Sequence, residues 1–247
     1  MPDPARRYEP AIERGLSAET ETIEAVVALA AAEPGGARPV SALNPEAGAH
    51  GVTTDPRELR SALRAGRRTR GRFGYYEMRY GARGSAFTRS DSAWIVTLVE
   101  QPAGVVERQL SWLGALLAAR GMPRWLLEVH LETLHAELVT AVPEKRQSYD
   151  ELLRVAAVFR DERFSHLDEL TSSRLAESFD DCLGSASSND LPEAGALLVA
   201  AVADERNGLP RAVESLTEWL ADPARFPDDW ITAATETVAA ARDLARE

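Results

Sequence analysis

The sequence predicts an all-α fold, on three observations. Apolar residues recur at spacings of three and four along most of the chain. Prolines and glycines punctuate those stretches at the places where helices start and stop. No run of five or more residues alternates apolar and polar positions as a half-buried strand does.

The expected elements follow in order. Ser17, Glu19 and Glu21 open a helix over 17–33 with Ile23, Val26, Val27 and Ala30 on one face, and Pro34-Gly35-Gly36 stops it. Residues 34–54, rich in Pro, Gly and small residues, form a loop or linker. Asp55-Pro56 restarts a helix that carries Leu59 and Leu63. A short helix over 71–80 comes next, and Thr88 to Ser90 cap another with Trp94, Ile95, Leu98 and Val99 inward.

The middle is the most regular part. Residues 103–119 present Val105, Val106, Leu110, Leu113, Leu116 and Leu117 as a wide apolar stripe. Gly121 ends that helix and Pro123 begins the next, over 124–142, with Leu127, Leu131, Leu134, Leu138 and Val142. Pro143 starts 143–161, with Tyr149, Leu152, Leu153, Ala156 and Phe159 inward. Beyond a helix over 167–182 and a polar loop at 184–189, Pro192, Pro210 and Pro227 start three more, at 192–206, 210–221 and 227–246. The expected organisation is an N-terminal helix and linker (1–54), a helical core (55–163) and a C-terminal helical extension (164–247).

Composition bounds the function. The chain has 247 residues, 28 Lys+Arg against 39 Asp+Glu, a net charge of −11 and one cysteine. A single cysteine excludes a disulfide framework and a zinc site built from paired thiolates. No apolar stretch reaches the roughly 18 residues a membrane-spanning helix requires, and charges occur throughout the first 30 residues, from Arg6 and Arg7 to Glu19 and Glu21. No membrane segment or secretory signal is therefore expected, and the expected location is the cytoplasm.

The net charge conceals an uneven distribution. Residues 57–83 carry nine Arg against Glu58 and Glu77, a local +7, so the remainder sums to −18 (−11 minus +7). Phe73, Tyr75, Tyr76 and Tyr80 lie among these arginines. Arginine with interleaved aromatics can grip nucleic acid. The acidic remainder favours intramolecular pairing or a small anion instead, and it repels a polyanion at long range. Nucleic acid is therefore not the expected partner.

Glu132 and His135 form an E-x-x-H pair, the unit that carboxylate-bridged di-iron bundles use twice, but no second E-x-x-H occurs. His130 and His135 are five residues apart, about 140° around a regular helix, and cannot share one metal. Cys182 follows Asp180 and Asp181, which oppose thiolate formation. No nucleophile elbow and no Gly-rich phosphate loop is present. An enzyme is the minority reading, and no catalytic residue is assigned.

One resemblance adds to this. Arg79-Tyr-Gly-Ala-Arg-Gly84, Ser90-Asp91, Trp94 and Trp112-Leu-Gly-Ala-Leu-Leu-Ala-Ala-Arg-Gly-Met-Pro123 resemble a helical domain found beside cobalamin-binding domains in bacterial regulators, and also globin-type sensor domains and their phycobiliprotein-like relatives. The likeness covers about residues 55–160, and Gly121-Met122-Pro123 with Trp125 matches the turn after the proximal-histidine helix of sensor globins. Where a proximal histidine would stand, this chain has Leu116, Leu117, Ala118 and Ala119. The D-x-H-x-x-G signature of a cobalamin domain is absent, and Cys182 lies outside the region where a bilin would attach. The resemblance thus implies a globin-like module without its usual cofactor, acting as a regulatory or protein-contact domain.

Together these readings predict a non-catalytic regulatory or sensor-type module that binds a small anionic ligand or a protein partner, a second copy of the chain included. The expected ligand-lining residues are Arg79, Tyr80, Arg83, Trp94 and Trp112. Two alternatives stand beside it: a haem or other tetrapyrrole binder using His130, and a metal-binding bundle enzyme using Glu132 and His135.

Overall fold

A computed structural model describes residues 43–48, 50–187, 191 and 193–245. The helix expected at 17–33 lies outside them. The described residues form nine α-helices and no strand: α1 (Pro56–Arg72), α2 (Gly74–Leu98), α3 (Ala103–Ala118), α4 (Arg124–Ala141), α5 (Arg146–Arg163), α6 (Glu169–Ser187), α7 (Ala194–Arg206), α8 (Ala212–Leu220) and α9 (Asp228–Leu244). The fold is all-α, and none of these helices is long and apolar enough to cross a membrane.

Local chemistry sets most of the boundaries. Asp55 accepts the Arg57 backbone N–H at 2.7 Å, which caps α1, and Pro56 takes the first helical position. Gly121, at φ 83°, closes the end of α3. Its N–H donates to Ala118 and that of Met122 donates to Leu117, the paired bonds of a Schellman motif. Pro143–Lys145 form a single 3₁₀ turn before α5, so the proline restarts the chain as a tighter helix than expected.

The region 71–98 differs from expectation. Phe73, with extended backbone, separates α1 from α2, and α2 then runs to Leu98 with its one break at Gly81 (φ 50°, ψ −143°). Thr88 and Ser90 therefore lie inside a helix and cap nothing. Their hydroxyls donate to the carbonyls of Gly84 and Phe87, and Ser92 donates to Thr88. Residues of this type favour caps, but back-bonding to the preceding turn accommodates them within a helix.

Two apolar clusters fill the interior. One joins α1, the second half of α2, and α3 to α5, with Leu59, Leu63, Ile95, Leu110, Leu131 and Phe159 buried. The other fills α6 to α9 around Phe179, Leu197, Leu216 and Trp230, and it also takes in Phe73, Tyr75, Leu126 and Val129 from the first half of the chain. The expected boundary at 163/164 is thus bridged by side chains. α4 carries the bridge because it is buried nearly all round: Leu127 and Leu131 enter one cluster, Leu126 and Val129 the other.

A buried ion pair reinforces that junction. Arg124, at the start of α4, donates to Asp204 of α7 through its backbone N–H at 2.8 Å and its Nε at 2.7 Å, and Nη1 pairs with Glu162 of α5. Burial pushes the Asp204 carboxyl above its usual range against the pull of Arg124. Nearby, Arg160 and Arg163 clamp the buried Glu128.

Candidate functional site

A cavity of about 620 Å³ lies between α1, α2 and the α3–α4 turn. This volume falls in the range of small-molecule pockets. Ile95, Leu113, Leu117 and Leu127 make one wall apolar, and Tyr76, Tyr80 and Phe87 add aromatic surface. Arg70, Arg79, Arg83 and Arg120 line the same space, with Asp91 and Glu46 as its carboxylates.

The arginines are not equivalent. Arg70 pairs with Glu77 and donates to Ser85, and Arg83 pairs with Glu46 at 2.7 Å. Arg120 acts on Asp91 through its charge. Arg79 has no carboxylate partner among the described residues. Its Nη1 donates to the Tyr75 hydroxyl at 2.6 Å and its Nη2 to the Ser215 carbonyl at 2.8 Å. The faces of Tyr80 and Tyr75 lie 5.3 and 5.8 Å from its guanidinium, within cation–π range. Two of its five N–H groups are used in these bonds, which leaves three as donors.

These bonds belong to a polar knot around the α3–α4 turn. The Tyr75 hydroxyl donates to the Gly121 carbonyl, Tyr80 to Arg120 at 2.8 Å, and the Ser215 hydroxyl to Ala119 at 2.9 Å. The turn has exposed its carbonyls at the end of α3, and hydroxyls from α2 and α8 satisfy them. Gly121 is required twice over: by its positive φ, and because a Cβ there would stand 2.4 Å from Arg79 Nη1.

His130 sits in the inner wall. Its Nδ1 is 3.1 Å from the Thr69 hydroxyl and its Nε2 is 3.0 Å from the Ser92 hydroxyl. Ser92 spends its own hydrogen on the Thr88 carbonyl at 2.6 Å, so it accepts from His130. The ring is therefore the Nε2–H tautomer, and its Nδ1 lone pair takes the Thr69 hydrogen. Burial lowers its pKa to about 4, which makes it neutral at physiological pH.

This arrangement does not fit haem ligation. As placed, His130 has no ring nitrogen free for iron, and the α3 positions that would supply a proximal ligand remain Leu and Ala. Glu132 and His135 do not converge either. Glu132 pairs with Arg160 and His135 Nε2 with Asp150 at 2.8 Å, and no group of three His, Cys, Asp or Glu side chains among the described residues is placed to hold a metal. Cys182 is exposed.

Of the expected ligand residues, the structure brings Arg79, Tyr80 and Arg83 to the cavity, together with His130. It does not bring the two tryptophans. Trp94 is half-buried against His50, with ring centroids 5.5 Å apart, and Trp112 is 59% exposed on α3. Elsewhere in the Arg-rich segment, Arg57 pairs with Asp55 and Glu144, and Arg68 with Glu137.

Sequence reasoning passed over Asp91, Tyr76, Phe87 and Arg120 as site residues. A usable signal existed for Asp91. It stands four residues after Phe87 and four before Ile95, a carboxylate on an otherwise inward-facing stripe. Burial raises its pKa to about 6, with only a long 3.4 Å hydrogen bond from Ser90 and the charge of Arg120 opposing the rise.

No family model, curated protein or solved structure matches this chain, so the likeness of residues 55–160 to globin-type sensor domains rests on the short motifs that suggested it.

Proposed function

We propose that the protein is a non-catalytic regulatory or sensor-type module that seats a small amphipathic anion in the cavity between α1, α2 and the α3–α4 turn. One observation carries the reading. A cavity of about 620 Å³ with aromatic and aliphatic walls contains a guanidinium, Arg79, that no described carboxylate neutralises. An apolar body would be held by the walls and oriented by that charge.

The regulatory character follows from where Arg79 reaches. It joins α2 to α8, so a ligand at this side chain acts on the contact between the two halves of the helical array. A ligand shifts an equilibrium only by its differential affinity for the two states, and a site built on such a joint can supply that difference. A globin-like core over 55–163 with the C-terminal extension completing the contact agrees with this reading.

The test uses 8-anilinonaphthalene-1-sulfonate, an aromatic anion whose fluorescence rises on leaving water. The expected result is saturable binding at one site per chain, weakened at least tenfold by Leu117→Trp, which fills the cavity. Equal binding to a folded variant would place the probe elsewhere and remove the support for this site. An absorption spectrum of protein produced with an ample haem supply decides the tetrapyrrole alternative, which requires a Soret band.

A further inference from the structure

The charges around the cavity compensate one another in pairs, with one exception. Arg70 faces Glu77 and Arg83 faces Glu46 in ion pairs, while Arg120 reaches Asp91 only through its charge, without an ion-pair contact. Arg79 remains, so the lining carries one excess positive charge when Asp91 is ionised. Protonation of Asp91 would also release the charge of Arg120 and raise the excess to two.

Asp91 itself is unusually exposed to such a change. Its carboxylate lines the cavity, and among the described residues the one hydroxyl within reach is that of Ser90, 3.4 Å away, whose single hydrogen is shared with the nearer Phe87 carbonyl. Tyr76 lines the same space, and the Asp91 carboxylate adds to the burial that holds its phenol neutral. Each packed element contributes a charged or titratable neighbour: Arg70 from α1, Tyr76, Tyr80 and Arg83 from α2 itself, Arg120 from the end of α3, His130 from α4 and Glu46 from the preceding loop. None of these competes for a proton near neutrality. Burial lowers the His130 pKa to about 4, the Arg83 hydrogen bond holds Glu46 below its usual range, and burial raises both tyrosines. Asp91 is thus the one lining group placed to change charge between pH 5 and 8.

We propose that this cavity takes a compact aromatic monoanion together with one proton, the proton entering on Asp91 so that its carboxyl donates a hydrogen bond to the anion while Arg79 and Arg120 carry the opposing charge. The proton comes from solvent, and the bound complex differs from its free components by that one proton. With Asp91 ionised, an incoming anion meets a carboxylate in a poorly solvated space. With Asp91 protonated, the same oxygen pair becomes a donor and the repulsion is gone. A monoanion fits better than a dianion because only Arg79 lacks an internal counter-charge before the proton arrives. The aromatic body follows from Tyr76, Tyr80 and Phe87 on the walls.

This inference rests on the ligand-binding reading above, and the two can fail separately. The probe is again 8-anilinonaphthalene-1-sulfonate, whose sulfonate stays ionised throughout. Its dissociation constant is measured from pH 5.5 to 8 with the full chain. Calorimetry at pH 7 in two buffers of different ionisation enthalpy then counts the protons taken up. The expected result is a dissociation constant that rises about tenfold per pH unit above pH 6, with uptake approaching one proton per bound anion. Asp91→Asn should bind at pH 7.5 about as tightly as the parent does at pH 5.5, with no pH dependence. Binding that is independent of pH, with no proton uptake, overturns this inference and leaves the cavity reading standing. Absence of probe binding at every pH overturns both. Should Asp91→Asn fail to fold, the proton count on the unaltered chain decides the matter alone.

Discussion

Arg79 of α2 donates from Nη2 to the backbone carbonyl of Ser215 in α8, 2.8 Å away and 136 residues along the chain. Its other terminal nitrogen holds the Tyr75 hydroxyl, which in turn holds the Gly121 carbonyl. One side chain therefore ties a helix, a turn and a distant helix together, and it does so at the wall of the cavity. Arg79→Ala should destabilise the fold by about 3 kcal/mol, the scale of two hydrogen bonds to a charged group with some relaxation. Urea unfolding measures this. A loss below about 1 kcal/mol would show that solvent replaces both bonds.

Gly121→Ala tests the same knot from the other side. The left-handed backbone at φ 83° costs a residue with a Cβ about 1–2 kcal/mol. The new methyl would also stand 2.7 Å from the Ser215 carbonyl as well as against Arg79. The expected loss exceeds that of Gly208→Ala, where φ is 87° but no atom lies within 4 Å of the added Cβ. Equal melting shifts for the two variants would mean that only backbone strain matters.

Breaking the Arg124–Asp204 pair should cost the fold more than the intact pair contributes to it. Asp204→Ala leaves a buried guanidinium with only Glu162, on its more exposed side, as a counter-charge. Removing one partner of a buried pair costs about 3–5 kcal/mol, and Glu162 should hold the loss to the lower end. Because the pair spans α4 and α7, denaturant unfolding of the variant should also broaden or separate into two steps. A single transition with unchanged slope would show that the apolar contacts alone couple the halves.

His130 and Asp91 give the protein opposing pH dependences. The His130 pKa falls from 6.5 to about 4 on folding, so the unfolded chain binds its proton more readily. That stability is present above pH 6.5 and is lost as pH falls toward 4, by an amount of about 3 kcal/mol. The Asp91 pKa rises from 3.8 to about 6, so its contribution runs the other way, favouring the fold at low pH and costing stability as pH rises through 6. Between pH 4 and 6 the two slopes oppose each other. Asp91→Asn should raise stability at pH 7 and reveal a steeper acid loss, whereas His130→Gln should flatten that loss. Melting temperatures at half-unit pH intervals distinguish these outcomes.

Asp91→Asn should thus gain stability in the free protein while losing the proposed proton-dependence of anion binding. A carboxylate that costs the fold free energy and faces a cavity is the pattern of a residue retained for what it does.

The helices and their joints were legible because their determinants are local. Asp55-Pro56, Gly121 and Pro123 act within a turn of where they stand, and the apolar spacing of 103–119 and 124–142 leaves no other regular structure. The short helix expected over 71–80 ends at the break at Gly81, but the helix resumes directly after it and not at 88–90, because back-bonding silences the cap signal of Thr88 to Ser90 inside α2. The site was legible in part. Arg79, Tyr80 and Arg83 follow from the local clustering of arginine and tyrosine, yet the same clustering pointed to tryptophans that face elsewhere.

By itself, then, the sequence determined an all-α chain, the ends of most of its helices and a cationic stretch set in an acidic background. Tertiary structure decided which of those charges are cancelled. Glu46 and Glu77 neutralise Arg83 and Arg70, while Arg79 receives only a phenol and a carbonyl. It also turned Asp91 toward a cavity and Trp112 toward solvent. Composition records how many charges exist, but their energies depend on distance and on water, and both are set by how the helices rotate against one another.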